Sequence, residues 1–459
     1  MNENNFIETV VAGAGLTGLT TAYNLKRSGK PVLVIEKSGR TGGQIQTLNR
    51  DGFVFETGPN TGTVSHPEVA ELFSALSPAC ELETADENAN NRWIWKGNRF
   101  YPLPSGLFGG IATPLFSWPD KFRILGEPFR AKGTNPDESV GELASRRLGK
   151  TFVDYAVDPF ISGIYAGDPY SLVTRYALPK LYNLEQNYGS FIKGSIAKAK
   201  EPKTERDRLA TKKVFSVKGG LGNLASALAD AIGRENIVLS ASSLKITPDG
   251  ENWKIDYRLA DGERSIRAKN VVTTVGSHAL PEMLPFVEKT DMDKISCLRY
   301  APVIQVVVGV KDILGLRFNA FGGLIPSCEK KPLLGVLFPS ACFAGRAPEN
   351  GMLFSFFIGG MKAIHLTELS DSELTALVLR EFHDMLKFSA GKEPDMIHIA
   401  RHKYAIPQYE KSTGERLETV EKLQNRYSGL VIGGNLKNGI SMGDRILQGT
   451  NIAKSLVNQ

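Results

Sequence analysis

Cysteine is scarce in this chain, and its four cysteines lack the spacing of a metal site or a redox pair. They stand at Cys80, Cys297, Cys328 and Cys342 among 459 residues, without a CxxC motif. This pattern predicts reduced thiols in a cytosolic protein and argues against a cysteine-ligated metal. An HExxH motif, a nucleophile elbow and a pair of acids spaced for acid–base chemistry are also missing. We therefore assign no catalytic side chain and no metal ligand.

Long apolar runs are absent as well. No run of about 18 apolar residues occurs, so no transmembrane helix is predicted. The first five residues are polar, and we expect no signal peptide. The segment Phe100–Trp118 is apolar, but three prolines and three glycines interrupt it, which argues against a spanning helix. It is either a buried lip of a substrate cavity or an apolar surface that lies on a membrane.

The chain also lacks a strong net charge. Its 55 basic and 49 acidic residues give +6, which argues against nucleic-acid binding. A mild positive charge suits an anionic small substrate or a weak attraction to anionic lipid. His398 and His402, two of the six histidines, lie in a segment that alternates like a strand. Their rings would be about 13 Å apart there, so a metal site is not expected.

The sequence does contain a strand, a glycine loop and a helix near its start. A strand (TVVA) precedes the loop GAGLTG, a helix continues to about Ser28, and a second strand (VLVI) ends at Glu36. Gly13 permits the tight turn, Gly15 lets the backbone approach a pyrophosphate, and Gly18 lets the helix pack on the strand. The helix N-terminus, with the backbone of the loop residue Ala14, faces the phosphate charge.

The acid and a second glycine turn identify the dinucleotide. Glu36 stands 18 residues after Gly18, where an acid holds ribose hydroxyls. The pattern E-x3-R-x-G-G that follows, from Glu36 through Lys37 and Arg40 to Gly42 and Gly43, resembles that of large flavoproteins of the amine-oxidase and glutathione-reductase type. In those proteins the paired glycines let the chain pass close to FAD, and the arginine lies near its phosphates. We therefore expect FAD as the cofactor.

The length and the order of motifs predict several domains in an α/β fold. Residues 1–85, 206–285 and 406–459 are predicted to form a discontinuous Rossmann-like FAD-binding domain. Residues 86–99 and 286–405 are expected to form an inserted mixed-sheet substrate domain. Residues 100–205 are expected to form a helical, membrane-associated domain. The long helix of the substrate domain is predicted over Ser370–Phe388, with Ser370 as its N-cap.

Several segments together resemble one family. They are GGQIQT (42–47), RDGF (50–53), ETGPNT (56–61), VDYAVDPFISGIYAGDP (153–169), FSVKGGL (215–221), FFIGG (356–360), GGN (433–435) and GISMG (439–443). The chain resembles the oxygen-dependent protoporphyrinogen oxidases of haem and chlorophyll synthesis over essentially its whole length. The FAD motifs alone do not separate this family from amine oxidases or carotenoid desaturases, whereas the DPFISGIYAGDP segment is far more specific.

The resemblance implies a six-electron oxidation of protoporphyrinogen IX to protoporphyrin IX, with hydride passing to the flavin and oxygen forming hydrogen peroxide. It also implies roles for residues in the substrate site. Arg92 would grip a propionate through its guanidinium, and Phe357 would stack on a pyrrole ring. Leu324 and Leu337 would clamp another ring, and Gly163 would line the cavity, where a side chain would crowd the substrate.

For the cofactor, the resemblance implies that Gly58 lies close to the flavin ring and that Val238 meets the adenine through its backbone. Met442 would offer a backbone N–H to the pyrimidine edge of the flavin at a helix N-terminus. The implied partners are the tetrapyrrole and molecular oxygen, with no nucleic acid. A peripheral contact at the inner face of the cell membrane and a homodimer stay open for this cytoplasmic protein.

Three alternative functions differ from this one to an increasing degree. The nearest is a flavoenzyme of the same fold that oxidises coproporphyrinogen III, which carries four propionates rather than two. Arg92 favours protoporphyrinogen modestly. An amine oxidase or a carotenoid desaturase is a more distant alternative. A non-catalytic FAD- or nucleotide-binding protein is an alternative from a different class.

Overall fold

The computed structural model of the chain describes residues 6–89, 91–104, 109, 112–388 and 392–458. Predictions for residues 1–5, and for 105–108, 110 and 111 within the apolar segment, lie outside the described residues. The strands in chain order are β1 (Phe6–Ala12), β2 (Val32–Ile35), β3 (Thr47–Arg50), β4 (Phe53–Glu56), β5 (Gly62–Thr63), β6 (Leu82–Thr84), β7 (Arg92–Lys96), β8 (Arg99–Pro102), β9 (Val214–Val217), β10 (Ile237–Val238), β11 (Ser242–Asp249), β12 (Asn252–Leu259), β13 (Gly262–Thr273), β14 (Tyr300–Val310), β15 (Gly322–Leu324), β16 (Gly335–Leu337), β17 (Met352–Gly359), β18 (Met396–Pro407) and β19 (Leu430–Ile432).

Helices connect these strands and cover the sheets. They span Leu16–Arg27, Pro67–Leu76, Trp118–Leu125, Val140–Leu148, Lys150–Phe152, Asp158–Tyr165, Thr174–Ala177, Pro179–Tyr188, Phe191–Ala199, Glu205–Arg208, Gly222–Ile232, Leu280–Met283, Lys289–Ser296, Pro339–Cys342, Asp371–Leu386, Thr413–Arg426 and Met442–Val457. A π-helical turn, Val153–Val157, precedes the helix Asp158–Tyr165. The predicted N-cap Ser370 is confirmed, because its hydroxyl accepts from the Glu373 N–H while Glu373 bonds back to Ser370.

The first sheet has seven strands and is built from distant parts of the chain. Its path runs β10-β2-β1-β13-β12-β11, and β19 pairs with the end of β13. Strands β10, β2, β1, β13 and β19 are parallel, while β11, β12 and the first half of β13 form an antiparallel meander. Apolar cores lie on both faces, one under the helices Leu16–Arg27 and Met442–Val457 and the other under Thr413–Arg426. This is a doubly wound α/β layer, as predicted.

The second sheet is mixed and also has seven strands. Its order is β18-β14-β17-β16-β15-β7-β8, with β15 and β7 parallel and the other pairs antiparallel. The helix Asp371–Leu386 covers one face through a core that includes Phe354, Phe356 and Phe382. The opposite face is directed toward the Glu56–Asn60 segment of the chain, since Gln305 on β14 donates to the Glu56 carbonyl. The α/β class with an inserted mixed sheet is therefore confirmed.

Between β8 and β9 every element that the structure describes is helical. No helix in the described part of the chain is long and apolar enough to cross a membrane. A buried ion network joins these helices: Arg147 is fully buried, pairs with Glu127, and places its Nη1 2.6 Å from Oε1 of Glu185. Burial opposes ionisation of Glu127, but bonds from Ser190, from the Phe191 N–H and from Arg147 outweigh it and hold its pKa below its usual range. The charges of this network are buried, so removing one partner would leave another charge without compensation and would destabilise the fold.

We expect Arg147→Met to destabilise the protein by about 3–5 kcal/mol at neutral pH, because it leaves Glu127 buried without its cation and leaves Glu185 paired only with Arg146. In the wild type, the lowered pKa of Glu127 stabilises the folded protein fully at pH values above the ordinary pKa of a glutamate in the unfolded chain. This stabilisation is lost as the pH falls through the pKa that Glu127 has in the folded protein. The variant carboxylates instead regain neutrality in acid, so the difference in unfolding free energy should shrink below about pH 5.

Urea unfolding followed by circular dichroism at pH 7.5 and pH 5 measures this difference. Arg234→Met is the matched control, because Arg234 forms an exposed helical pair with Asp230 and should cost under about 0.5 kcal/mol. A loss in Arg147→Met as small as that of the control would contradict the assigned role of the network.

Candidate active site

The predicted glycine loop lies between β1 and the helix Leu16–Arg27. Gly13 has φ 104°, and its N–H donates to the Ile35 carbonyl at 2.8 Å. A Cβ at Gly18 would lie 2.0 Å from the Gly13 carbonyl oxygen, so only glycine lets the helix approach the loop. A Cβ at Gly15 would meet no protein atom within 4 Å. Gly15 therefore faces open space at a helix N-terminus, which suits a pyrophosphate.

The second glycine turn lies directly against the first. The Gly42 N–H donates to the Ala14 carbonyl at 2.8 Å, and a Cβ at Gly43 would lie 3.1 Å from Cα of Gly15. Arg40 braces this turn, because its Nη2 donates to the Gly43 carbonyl at 2.7 Å and its Nη1 to the Ile45 carbonyl at 2.9 Å. Its nearness to the phosphates of a dinucleotide stays a prediction.

Glu36 and Val238 meet at the same edge of the sheet. The Glu36 carboxylate accepts from the Ala14 N–H at 2.7 Å and from the Ser38 N–H at 2.8 Å. The Val238 carbonyl accepts from the Glu36 N–H at 2.8 Å, and this hydrogen bond holds Val238 beside the acid. Lys37 is exposed beside them. Three segments that are far apart in the sequence, at Ala14, at Glu36–Ser38 and at Val238, are thus together at the carboxyl ends of parallel strands, the edge where α/β sheets bind ligands.

Met442 begins the C-terminal helix, behind the N-cap Ser441. Burial opposes ionisation of Asp444, but hydrogen bonds from His66 and Ser441 outweigh it and hold the pKa of Asp444 below its usual range. Arg445 is buried and donates to the carbonyls of Lys437, Asn438 and Gly439 at 2.8–2.9 Å. These contacts fix the loop that leads into the helix. Met442 itself is buried, and a Cβ at Gly449 would lie 2.6 Å from the Thr17 carbonyl, so this helix packs closely on the first one.

These residues fit a dinucleotide such as FAD. The open cradle at Gly15, the close second turn, the ordered acid Glu36 and the helix N-terminus at Met442 are the parts that such a group requires. Among the glycines of the two turns, Gly15 is the one at which a Cβ would meet no protein atom within 4 Å, and this is where the backbone must approach the phosphates.

The substrate residues predicted from the family resemblance share one face of the second sheet. Across neighbouring strands, Arg92 pairs with Gly322 and Gly322 with Leu337. In the next row Leu324 pairs with Gly335, and Gly335 with Phe357. Registered partners point to the same side of a sheet, so Arg92, Leu324, Leu337 and Phe357 all lie opposite the Phe356 core. Arg92 and Phe357 are three strands apart, about 14 Å.

The side chains on this face are partly accessible to solvent. Leu324, Leu337 and Phe357 are half-buried, and the exposed Arg92 holds its guanidinium carbon 5.8 Å from the centroid of the Phe321 ring. Gly163 lies on the helix Asp158–Tyr165, and a Cβ there would be 2.4 Å from Cδ2 of Leu324. A side chain at residue 163 would therefore require the flexible end of Leu324 to move. The glycines at 322 and 335 alternate with the leucines. A Cβ at Gly322 would lie 2.9 Å from Cδ2 of Leu337, and one at Gly335 would lie 3.5 Å from Cδ2 of Leu324, so the leucine side chains lie over these glycines.

Two residues that the sequence interpretation did not assign join this face to the glycine loops. Gln305 is buried, and its Nε2 donates to the Glu56 carbonyl at 2.9 Å and lies 3.3 Å from Oγ of Ser355. His402 contacts the next carbonyl, that of Thr57, through Nε2, which must donate there. The Asn60 amide donates to the Gly58 carbonyl at 3.0 Å. The predicted flavin-side residue Gly58 is therefore held between the two sheets.

Gln305 was detectable from the sequence, because it is the single amide in an otherwise apolar strand. His402 was considered only as a metal ligand, and nothing in the sequence pairs it with Thr57.

Comparison with known proteins agrees with this geometry. The family model for flavin containing amine oxidoreductases matches residues 16–456. A chloroplastic protoporphyrinogen oxidase of Oryza sativa subsp. japonica is 32% identical over 95% of this chain and 85% of its own length. Protoporphyrinogen oxidase 2 of Arabidopsis thaliana is 29% identical over 97% of this chain and 93% of its own. The Homo sapiens protoporphyrinogen oxidase is 27% identical over 98% of both chains.

Solved structures share the fold at lower identity. A structure from Exiguobacterium sp. 255-15, provisionally assigned as a protoporphyrinogen oxidase, superimposes with a TM-score of 0.81 at 21% identity and covers 98% of this chain and 99% of its own. Cyclohexylamine oxidase from Brevibacterium oxydans IH-35A gives a TM-score of 0.71 at 16% identity, with 98% and 99% covered. At these identities the likeness describes the fold alone.

Gly15→Val should abolish retention of the dinucleotide while the protein stays folded, because the new side chain enters space that contains no protein atom. Gly18→Val is the matched comparison, since its side chain would collide with the Gly13 carbonyl and should destabilise the fold itself. Flavin absorbance per protein and thermal unfolding measure the two effects. Full flavin content in Gly15→Val would contradict the assignment of the loop.

Proposed function

This chain belongs to the protoporphyrinogen oxidases within the flavin containing amine oxidoreductase family, and we propose that it oxidises protoporphyrinogen IX to protoporphyrin IX with FAD and oxygen. The observation that carries the proposal is the apolar face of the second sheet, which has Arg92 at one end and is joined to the glycine loops at the other by Gln305 and His402. A flat, largely apolar macrocycle with carboxylates on one edge matches that surface.

Bound FAD supplies the two-electron acceptor, and three rounds remove six electrons from the substrate, with oxygen reduced to hydrogen peroxide. The work of the protein is then to bind, orient and exclude water. Leu324, Leu337 and Phe357 hold the rings of the macrocycle by apolar contact. Arg92 fixes a propionate through charge-assisted hydrogen bonds and sets which edge of the macrocycle faces outward.

For the cofactor we propose the roles implied by the family resemblance. Glu36 holds ribose hydroxyls, Val238 meets the adenine, and Lys37 and Arg40 lie on the phosphate side. Gly58 and Met442 lie at the flavin ring, one on the turn held by Gln305 and the other at a helix N-terminus, where negative charge on a reduced ring is favoured.

We also propose the discontinuous domain division. In support, the strands of the first sheet fall within residues 1–85, 206–285 and 406–459, whereas β14 to β17 of the second sheet fall within 286–405. The inserted region 100–205, whose described elements after β8 are helical, is then a third unit.

A direct assay tests the function. The purified holoprotein should lose its yellow absorbance when protoporphyrinogen IX is added without oxygen, and should form fluorescent protoporphyrin in air. Coproporphyrinogen III is the competing substrate, and faster formation of coproporphyrin would reverse the proposed preference. A protein that binds FAD but oxidises neither compound would refute the enzymatic proposal.

Arg92→Ala should raise KM for protoporphyrinogen by about 10- to 100-fold with a smaller change in kcat, because a charge-assisted contact to a propionate is lost. Steady-state fluorescence kinetics measures it. Arg258→Ala is the control, since Arg258 lies on β12 of the other sheet and pairs with the exposed Glu263. An unchanged KM in Arg92→Ala would reject the assigned role.

We further propose that the protein is cytoplasmic and makes a peripheral membrane contact through an apolar patch formed by Trp118, Phe122, Leu125 and Phe129. Their exposed fractions are 61%, 68%, 57% and 89%, which is unusual for four large apolar side chains within twelve residues of one another. Lys193 lies 5.9 Å from the centre of the Phe129 ring, so a cation stands where anionic headgroups would be met. A homodimer stays a prediction, to be tested by light scattering.

The double variant Phe122→Glu and Phe129→Glu should reduce binding to vesicles with anionic lipid by at least about tenfold, because two apolar side chains no longer enter the interface. Co-sedimentation of the holoprotein measures the bound fraction. Leu314→Glu is the control, since Leu314 is also exposed (53%) but lies outside the helical region. Equal binding of the wild type and the double variant would reject the patch as the membrane contact.

A further inference from the structure

A cavity of about 170 Å³ adjoins the apolar face of the second sheet. Residues next to the predicted ring contacts line it: Ser162 precedes Gly163, and Ala166 and Leu334 pack in the same cluster as Phe357. Ile325, which also lines it, belongs to the Phe356 core on the other side of the sheet. Gly359, two residues beyond Phe357 on β17, belongs to the wall as well. Arg92 lies three strands away from Phe357, so the cavity is at the opposite end of the face from Arg92.

Two lysines line this cavity, and both are already paired. Nζ of Lys362 forms an ion pair with Asp158 and lies 3.1 Å from Oγ of Ser327. Asp158 is buried and also accepts from the Ser327 N–H at 2.7 Å. Nζ of Lys331 lies 2.8 Å from Oε2 of Glu381 and 2.6 Å from Oδ2 of Asp384. Among the described residues that line the cavity, no cation is left without a carboxylate partner.

A carboxylate that entered this cavity would lose its hydration without gaining an unpaired cation, which is costly. Ser162 adds a buried hydroxyl that has no hydrogen-bond partner in the described part of the chain, and the remaining wall is largely apolar. A neutral substituent of similar size loses little hydration and packs against Ile325 and Leu334. The charge balance therefore distinguishes neutral from anionic substituents at this end of the macrocycle.

We infer that Asp158 selects the substrate of the proposed oxidation by neutralising Lys362, so that the cavity takes an uncharged substituent such as a vinyl group and disfavours a propionate. The inference rests on the proposed function. Bound in the same orientation with a propionate at Arg92, a porphyrinogen with propionates on all four rings presents a propionate to the cavity where protoporphyrinogen IX presents a vinyl group. A porphyrinogen with propionates on two adjacent rings does not. Asp158 acts only through Lys362 and is a positioning residue.

The test is a double-mutant cycle on the holoenzyme. Asp158→Asn keeps the shape of the side chain but releases the charge of Lys362. We expect kcat/KM for coproporphyrinogen III, relative to protoporphyrinogen IX, to rise about tenfold, mainly through KM, as one charge-assisted contact is gained. Asp158→Asn combined with Lys362→Gln should abolish the gain. Fluorescence quenching measures the binding of coproporphyrin and protoporphyrin to the wild type and the variants, and so compares their selectivity without turnover.

FAD content and thermal unfolding would detect misfolding of Asp158→Asn. A second variant tests the inference independently of that substitution. Ala363→Lys places a new cation at the cavity wall and leaves the Asp158–Lys362 pair intact, so it should shift selectivity in the same direction. The shift should weaken at high salt. An unchanged selectivity ratio in both folded variants, or a gain that persists without Lys362, would overturn the inference. Absence of activity on either porphyrinogen in the wild type would instead refute the proposed function.

Discussion

The structure depends on one close contact between two glycine turns. Gly42 and Gly43 lie against Ala14 and Gly15, joined by a backbone hydrogen bond of 2.8 Å, at a distance that leaves little room for side chains. This contact brings the acid after β2 and the helix after β1 to the same edge of the sheet. It also fixes where the chain turns toward Glu56, and from there toward the second sheet. The nucleotide site and the substrate face therefore share a common reference point.

The Glu56–Asn60 segment carries this constraint from one sheet to the other. Gln305 and His402 extend from the second sheet and bind two consecutive carbonyls of the segment, those of Glu56 and Thr57. A Cβ at Gly58 would lie 1.9 Å from the Gln44 carbonyl, so the segment cannot move closer to the glycine turns. The apolar face that carries Phe357 is held in this way at a defined position relative to the first loop. Side chains that bond to backbone carbonyls provide such a connection without depending on exposed charges.

Local patterns were sufficient to predict the parts of the fold that are determined by neighbouring residues. The strand before Gly13, the helix after Gly15 and the N-cap Ser370 were predicted and are confirmed, because capping, turn geometry and alternation act within a few residues. The contacts of Gln305, His402 and Arg147 were not predicted, since each partner is separated from them by tens to hundreds of residues in sequence. No local pattern states which distant carbonyl or carboxylate such a residue will meet. The register that puts Arg92 and Phe357 on one face likewise arises from pairing across four strands.

The buried charges follow a rule that helps to separate structure from chemistry. Arg147 is paired with Glu127 and Glu185, Arg445 donates through Nη2 to loop carbonyls, and Asp158 is paired with Lys362. Neither ion-paired cluster is left with an uncompensated charge that could serve as an acid or base toward a substrate, and Arg445 is held by the loop that leads into the C-terminal helix. The face between Arg92 and Gln305 carries apolar side chains and glycines instead. A protein built in this way holds and orients a macrocycle, and its reactivity comes from the bound cofactor. Arg92, exposed and close to an aromatic ring but to no carboxylate in the described structure, is then the group that is free to recognise an anionic edge.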